Sequence, residues 1–347
     1  MTRAACAIQQ VGLMNTYRFG YQIIFGKYHP AKYLEYARLV EKHGFDSIWV
    51  GDHFHPWFHT GASGGSPWVW LTIAAERTTR IRIGTAVTTP IFRYHPAIIA
   101  QTFATLEELY PSRIVLGLGT GEAMNEVVTG HPWPPYRERL ERLEEAVRVI
   151  RLLWTKDFVT FDGKYFKLKN ANLYLKPKRG VPIYMAAHGP KIAELAGKYA
   201  DGLITVAAVG ASKILLAFNK GGEKSGRNLQ CAEKVLTVAA SYDEDYEKAM
   251  KHCKRFAHTL IPHLYSGEVC DPRELEKYTS TVSEKDIAEK WIVSSSVDEH
   301  IERIEMLFRK GFNHVDISNR SPDEEKLVRA YGKRVIPYFR ESGRGRR

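Results

Sequence analysis

The sequence predicts a (β/α)8 TIM barrel with insertions. Eight short β-like runs alternate with helical runs from Tyr17 to Arg340, and no Pro/Ser-rich linker divides them. In addition, three of the runs end in small, polar or ionisable residues. These are Val50-Gly51-Asp52-His53-Phe54-His55-Pro56-Trp57, Ile83-Gly84-Thr85-Ala86-Val87-Thr88-Thr89-Pro90 and Val115-Leu116-Gly117-Leu118-Gly119-Thr120-Gly121-Glu122. In a parallel barrel the loops after the strands converge on one mouth, where chemistry is built. A doubly wound open sheet is the alternative. It more often carries a dinucleotide fingerprint in its first βα turn, and none is present here.

In chain order, Tyr17–Gln22 reads as a strand and Pro30–His43 as a helix with Leu34, Ala37 and Val40 on one face and Gly44 as its stop. Ser47–Val50 is the second strand and Trp68–Arg77 the next helix. Arg82–Thr88 is followed by a helix over Ala97–Leu109, and Ile114–Leu118 is the fourth strand. Leu140, Leu143, Val147, Ile150 and Trp154 recur at helical spacing, which predicts a helix over Tyr136–Trp154. Phe158–Leu168 breaks the rhythm: Asp162-Gly163 between alternating runs signals a hairpin, part of a β-insertion near 156–175. Strands resume at Ile183–Ala186, Gly202–Thr205 and Val235–Ala240, with a helix from Pro190. Glu244–Leu264 reads as one long helix, with a second insertion near 262–292. Val297–Arg309 is a helix, His314–Ile317 the last strand, and a final helix runs from Pro322 towards Arg340. Residues 14–347 thus form one expected catalytic domain. Residues 1–13 are expected to be an unstructured extension or a misassigned start.

Composition narrows the class. Hydrophobic residues make up 44% of the 347 and charged residues 26%, as in ordinary globular proteins. No apolar run approaches the roughly 18 residues of a membrane span, and the first residues lack a signal-peptide pattern, so a cytoplasmic protein is expected. Cys6, Cys231, Cys253 and Cys270 form no C-x-x-C pair, which argues against a zinc site or disulfide framework. The net charge of +11 sits partly in the tail Arg340–Arg347 and otherwise along helices. No Arg/Lys stripe interleaves with aromatics, so a nucleic acid is not the expected partner. A basic rim suits an anionic small molecule as well.

Gly117-x-Gly119-x-Gly121 has the wrong spacing and place for a dinucleotide turn, but suits close approach of a ligand to the backbone. For Glu122, a solvated turn carboxylate and a residue facing the mouth are equally open readings. His53-x-His55 with His59, His188 and Asp316 suggests a metal-dependent hydrolase barrel as an alternative. Pro56 and Trp57 crowd that pair, however, and His55 and His59 read as surface loop residues. Met185-Ala186-Ala187-His188-Gly189-Pro190 leads a strand into a helix whose first N–H groups could hold an anion.

Taken together, Asp52-His53-Phe54-x-Pro56-Trp57, Thr88-Thr89-Pro90-x-Phe92-Arg93-Tyr94-x-Pro96-Ala97 and Gly119-Thr120-Gly121-Glu122-Ala123-Met124-Asn125-Glu126 resemble the luciferase-like superfamily. The resemblance is to its coenzyme F420 (deazaflavin)-dependent dehydrogenases, among them the glucose-6-phosphate and secondary alcohol dehydrogenases. It implies a TIM barrel, usually dimeric, that passes a hydride from a hydroxyl-bearing carbon to C5 of F420. It also implies that His53 is the general base, that Trp57 packs at the reacting centre and contacts substrate, and that Glu122 is an acid beside the ring. Ala86-Val87 matches a non-prolyl cis peptide behind the ring. Asp52, Thr89, Thr120, Gly121, Asn125, Ala187, His188 and Gly189 match cofactor contacts, and no metal is implied.

The sequence departs from this pattern in places. A first-loop carboxylate is replaced near Gly26. The sugar-phosphate lysines fall at about Val209 and Ser266, and their arginine at Lys290, the one cation kept for substrate. A small alcohol is therefore expected ahead of glucose 6-phosphate. A methylenetetrahydromethanopterin reductase is a further alternative.

Overall fold

The computed structural model describes residues 17–207, 210–266 and 269–342. The expected extension over residues 1–13, Cys6 and Val209 lie outside them. The first half of the chain supplies β1 (Arg18–Ile23), β2 (Ser47–Val50), β3 (Arg82–Thr85) and β4 (Ile114–Leu118). An antiparallel hairpin follows, β5 (Val159–Asp162) with β6 (Lys167–Ala171). The second half supplies β7 (Ile183–Ala186), β8 (Gly202–Val206), β9 (Glu233–Tyr242), a short β10 (Ile292–Ser294) and β11 (His314–Asn319). β8 pairs with β9, β9 with β11, and β11 with β1, so eight parallel strands close into a barrel. β10 extends the sheet beside the far end of β9.

The strands are apolar runs because both of their faces are covered, one by helices and one by the barrel interior. Pro30, Pro67, Pro96 and Pro190 open four of the helices, where a missing N–H costs nothing and φ is already set. Inside, Trp49, Val115, Tyr184, Ile204 and Val235 pack together, and Ala86, Val87 and Ala186 lie on them towards the mouth. Trp49 fits because Gly20 and Gly84 have no side chain: a Cβ there would come within 2.9 and 2.8 Å of its ring. Below this layer Glu233 joins Arg82 at 2.7 Å and Arg18 at 3.1 Å, and accepts the Tyr184 hydroxyl. This plug leaves the opposite end of the barrel for chemistry.

Several elements depart from the sequence expectation. β3 stops at Thr85 rather than Thr88; the Ala86-Val87 peptide is cis, as the resemblance implied, and Thr88 pairs again only as a single bridge to Leu118. The helix expected over Glu244–Leu264 covers Tyr246–Lys254, capped by Asp245, and then gives way to a 3-10 turn over Ala257–Leu260. Pro262 is one cause, since it holds Ile261 at an extended ψ of 94°. Tertiary packing is the other, for Phe256, Ala257 and Leu260 turn into a second apolar cluster with Phe58 and Trp291.

A helix over Ala211–Lys224, between β8 and β9, was not anticipated. Its Gly221-Gly222 pair obscures the signal, yet a Cβ on Gly221 would lie 2.0 Å from the Glu194 carbonyl of the neighbouring helix. β10 was also missed, being three residues long. The last helix starts at Glu324, capped by Asp323, and passes through a π-turn at Tyr331–Val335. Among the described residues no helix is long and apolar enough to cross a membrane.

Candidate active site

β2 delivers Gly51, Asp52 and His53 to the barrel mouth, and β4 delivers Gly119 to Glu122, followed by a short helix over Ala123–Glu126. Asn125 on that helix ties the two loops together. Its Oδ1 accepts the Phe54 N–H at 2.8 Å, which fixes the orientation of the amide. Its Nδ2 therefore faces His53 Nδ1 at 3.3 Å and Glu122 Oε2 at 3.5 Å. An amide N–H can only donate, so neutral His53 keeps its lone pair on Nδ1 and its proton on Nε2. Glu122 Oε2 lies 3.6 Å from the same Nδ1. Trp57 meets the imidazole edge-on, with ring centres 5.1 Å apart.

Withdrawal from water moves these two groups in opposite directions. Burial lowers His53 to about 4, and the nearby Arg93 charge adds to the effect. Burial raises Glu122 to about 7, opposed by contact with Trp57. The side chains keep 13% and 25% of their exposure, so both remain open to a ligand in the mouth. At neutral pH the site thus presents an uncharged imidazole beside a carboxyl that can hold a proton. Paired groups pushed apart in this way are suited to acid–base work.

Asp52 is directed elsewhere. Its Oδ2 accepts the Thr88 hydroxyl at 2.8 Å, and its Oδ1 meets Tyr94 Oη at 3.3 Å and Arg93 at 3.2 Å. Arg93 also lies 3.6 Å from the buried Glu126, and its N–H donates to that carboxylate at 3.1 Å. Asn125 is thus the residue that bonds His53, while Asp52, Arg93 and Glu126 brace the two loops from behind. Arg93 and Glu126 lay within the sequence motifs but gave no sign of their burial or pairing.

The floor beside the cluster is apolar. Val87 and Ala86 lie over the interior packing, with Gly119 and Gly121 against Val87 and Thr89, while Gly117 is buried within β4. A Cβ on Gly119 would fall 2.5 Å from Val87 Cγ2, and one on Gly121, where φ is +78°, 2.7 Å from Thr89 Cγ2. With no side chain of their own, these glycines let the β4 loop pack directly on Val87 and Thr89, and together they make a close-packed shelf beside His53 and Glu122.

The remaining sequence candidates are spread around it. Thr89 is buried and Thr120 half-buried beside the shelf. Ala187 is buried and bonded to β8 through Ile204 and Thr205, while His188 is exposed and Gly189 precedes the helix Pro190–Tyr199. Lys290 is exposed at the last turn of the helix Glu284–Lys290, an element that contributes nothing to the cluster. His55 contacts the Cys270 carbonyl at 3.2 Å, and Asp316 accepts from Thr237 inside the barrel. The histidines and Asp316 of the hydrolase alternative therefore do not converge, and among the described residues no three His, Cys, Asp or Glu form a metal-binding group.

One contact had no sequence signal. His258, fully buried on the 3-10 turn, bonds the Trp57 carbonyl through Nε2 at 3.0 Å and Thr279 through Nδ1 at 3.1 Å. Glu276 accepts the His59 and Thr60 amides at 2.9 and 2.7 Å. His258, just before the second insertion, and Glu276 within it thereby grip the loop that carries Trp57.

A neutral imidazole beside a raised carboxyl at the C-terminal mouth of a closed parallel barrel places the chain among (β/α)8-barrel proteins with a candidate catalytic mouth. The chain belongs to the luciferase-like monooxygenase family, whose sequence profile matches residues 10–314. It is 39% identical over 327 residues to an F420-dependent glucose-6-phosphate dehydrogenase of Nakamurella multipartita, covering 93% of this chain and 96% of that one. An F420-dependent glucose-6-phosphate dehydrogenase of Mycobacterium avium is also 39% identical, over 94% and 99% of the two chains. Among solved structures, an F420-dependent secondary alcohol dehydrogenase in complex with an F420–acetone adduct superposes with a TM-score of 0.90 at 39% identity, covering 93% of this chain and 99% of that one. The F420-dependent tetrahydromethanopterin reductase of Methanopyrus kandleri shares the fold, with a TM-score of 0.78 at 24% identity over 93% and 99% of the two chains.

Proposed function

We propose that this protein is an F420-dependent dehydrogenase that oxidises a small secondary alcohol to a ketone. The observation that carries the reading is the His53–Asn125–Glu122 cluster at the edge of the glycine shelf, together with the 39% identity to F420-dependent dehydrogenases of both kinds. F420 supplies the hydride acceptor when bound. Ala86, Val87, Thr89, Thr120 and Gly121 form its bed, with Ala187, His188 and Gly189 towards its tail and Asp52 bracing the loop. His53 takes the hydroxyl proton at Nδ1, where the bond from Asn125 is long and easily displaced. Glu122, 3.6 Å away, steadies the imidazolium or supplies a proton beside the ring. Trp57 closes the reacting centre from the side.

Glucose 6-phosphate is the second reading, favoured by the names of the relatives. Against it stand the exposure of Lys290 and the non-basic residues Val209 and Ser266 where the pattern has cations. The test is bleaching of F420 absorbance with isopropanol, 2-butanol and glucose 6-phosphate and, with reduced F420 as the hydride donor, recovery of that absorbance with a methylene-pterin. Saturable turnover of glucose 6-phosphate alone overturns the alcohol reading. Tight FMN binding with no F420 turnover overturns the dehydrogenase itself.

The molecule is further proposed to be a cytoplasmic homodimer. Val69 and Ile73 on the helix Pro67–Arg77 and Ile98 on the helix Pro96–Leu109 are apolar and exposed, and they suit a self-contact. A monomer mass by light scattering at micromolar concentration would refute this.

A further inference from the structure

We infer that Arg93 is a positioning residue for the proton-accepting histidine: it sets the spacing of His53, Asn125 and Glu122, and its charge keeps the imidazole lone pair free. Its effect on turnover rests on the dehydrogenase reading, whereas its effect on His53 does not. Arg93 lies between β3 and the helix Pro96–Leu109 and reaches both loops of the cluster. Its Nη2 donates to the Asp52 carbonyl at 3.0 Å, an oxygen of the same peptide group as the His53 nitrogen, and stands 3.2 Å from Asp52 Oδ1. Its backbone N–H donates to Glu126 Oε2 at 3.1 Å, and Glu126 directly follows Asn125. One residue therefore holds the chain just before His53 and just after Asn125.

Its surroundings fix it in turn. Thr88 donates to Asp52 Oδ2 at 2.8 Å and accepts the Trp68 indole N–H at 3.1 Å. Tyr94 stacks on Trp68 with ring centres 4.3 Å apart, and the Arg93 guanidinium stands 4.7 Å from the Tyr94 ring centre. The planar fork of the guanidinium is what permits bonds to a carbonyl and a carboxylate at once.

Charge is the second effect. The Arg93 side chain is 10% exposed and those of Asp52 and Glu126 are 0% exposed, so salt and water screen them little. The compensation is uneven. Asp52 is close, but Arg93 Nε and Glu126 Oε1 stand 3.6 Å apart, and neither atom has a hydrogen-bond partner among the described residues. The titratable groups around His53 are Glu122 on the β4 loop, Asp52 on its own loop, and Arg93 and Glu126 behind. Glu122, raised to about 7, is uncharged where the imidazole titrates and does not offset Arg93. Arg93 thus joins burial in holding His53 down to about 4. A positive charge behind the ring penalises a second one on it. The Nδ1 lone pair stays free at neutral pH, and a proton taken there is readily given up again.

The test separates charge from spacing. Protonation of His53 is followed by NMR of the full-length, histidine-labelled protein, its signal assigned by loss in His53→Gln. Arg93→Met should move the titration up by about one pH unit or more, the scale of one nearby buried charge. Arg93→Lys keeps the charge, and Glu126→Gln removes a carboxyl that offsets it, so neither should move the titration up. General loosening would admit water to His53 and move it up in all three. That outcome, or no rise in Arg93→Met, overturns the proposal. If Arg93→Met does not fold, the double variant Arg93→Met/Glu126→Gln, which leaves no unpaired Glu126 charge, takes its place with the same rise expected. F420 affinity serves as the check that each variant is folded. In turnover of isopropanol, the acid limb of kcat/KM should follow the His53 titration. Arg93→Lys, which loses the fork, should lower kcat about tenfold or more with that limb in place. Wild-type kcat in Arg93→Lys overturns the spacing role. If His53 titrates as described but nothing bleaches F420, the assignment of Arg93 stands and the dehydrogenase reading fails.

Discussion

Glu122 Oε2 stands 3.6 Å from His53 Nδ1, and the Asn125 amide donates to both. A single side chain thereby fixes the tautomer of the imidazole and the position of the carboxyl. His53→Ala and Glu122→Gln are each expected to lower F420 reduction by about 10²-fold or more, the scale of a lost general acid–base group, with F420 affinity changed much less. Asn125→Ala should lower kcat less than either, since the groups remain but their alignment is lost. Steady-state kinetics beside an F420 titration separates the two effects. Near-wild-type turnover in His53→Ala removes it as the base.

The opposed shifts make a prediction about stability and pH. His53, lowered to about 4, binds its proton less well folded than unfolded, so its contribution makes stability rise with pH between about 4 and 6.5. Glu122, raised to about 7, holds its proton more tightly folded than unfolded, so its contribution makes stability fall between about 4.5 and 7. Across the shared window the two slopes oppose each other. Glu122→Gln should therefore give a stability that climbs more steeply with pH than the wild type, and His53→Gln one that climbs less or falls. Urea midpoints at pH 5, 6 and 7 measure this; parallel slopes in all three proteins would show that neither shift exists.

The strand ends were legible because their chemistry is local: a buried apolar run, then Asp52-His53 or Gly121-Glu122, states both the strand and its mouth. The glycines were legible as places of close backbone approach, but not what approaches them: Gly117 packs on the Thr85 carbonyl, Gly119 on Val87 and Gly121 on Thr89. The contacts that cross the chain were not. Asn125 and His53 are 72 positions apart, and His258 reaches Trp57 across 201. Nothing in Phe256-Ala257-His258 distinguishes a helical face from a turn, and only packing against Phe58 and Trp291 decides it. The Ala211–Lys224 helix failed for the opposite reason: its glycines serve a close crossing with the helix Pro190–Tyr199, so local propensity misreports it.

His258 offers a separable test of the contact that holds the Trp57 loop. Removing it leaves the Trp57 carbonyl without its buried donor, at a cost of about 1–3 kcal/mol. His258→Ala should destabilise the protein by that amount and lower kcat/KM through KM, with Trp57 less ordered beside the substrate. His258→Gln, whose amide can still donate, should recover most of both. Loss of stability in His258→Ala with unaltered KM would confine its role to the fold.

The glycine shelf predicts where the deazaflavin ring lies. A methyl group at residue 119 would stand 2.5 Å from Val87 Cγ2, so Val87 must swing away from Gly119 and the floor changes shape. Overpacking of this kind costs about 1–3 kcal/mol. Gly119→Ala is therefore expected to weaken F420 binding at least tenfold, by fluorescence titration, while lowering thermal stability only moderately. Gly64→Ala is the matched control, because nothing lies within 4 Å of its added methyl, and both properties should stay as in the wild type. If Gly119→Ala binds F420 as tightly as the wild type does, the ring does not rest on Val87.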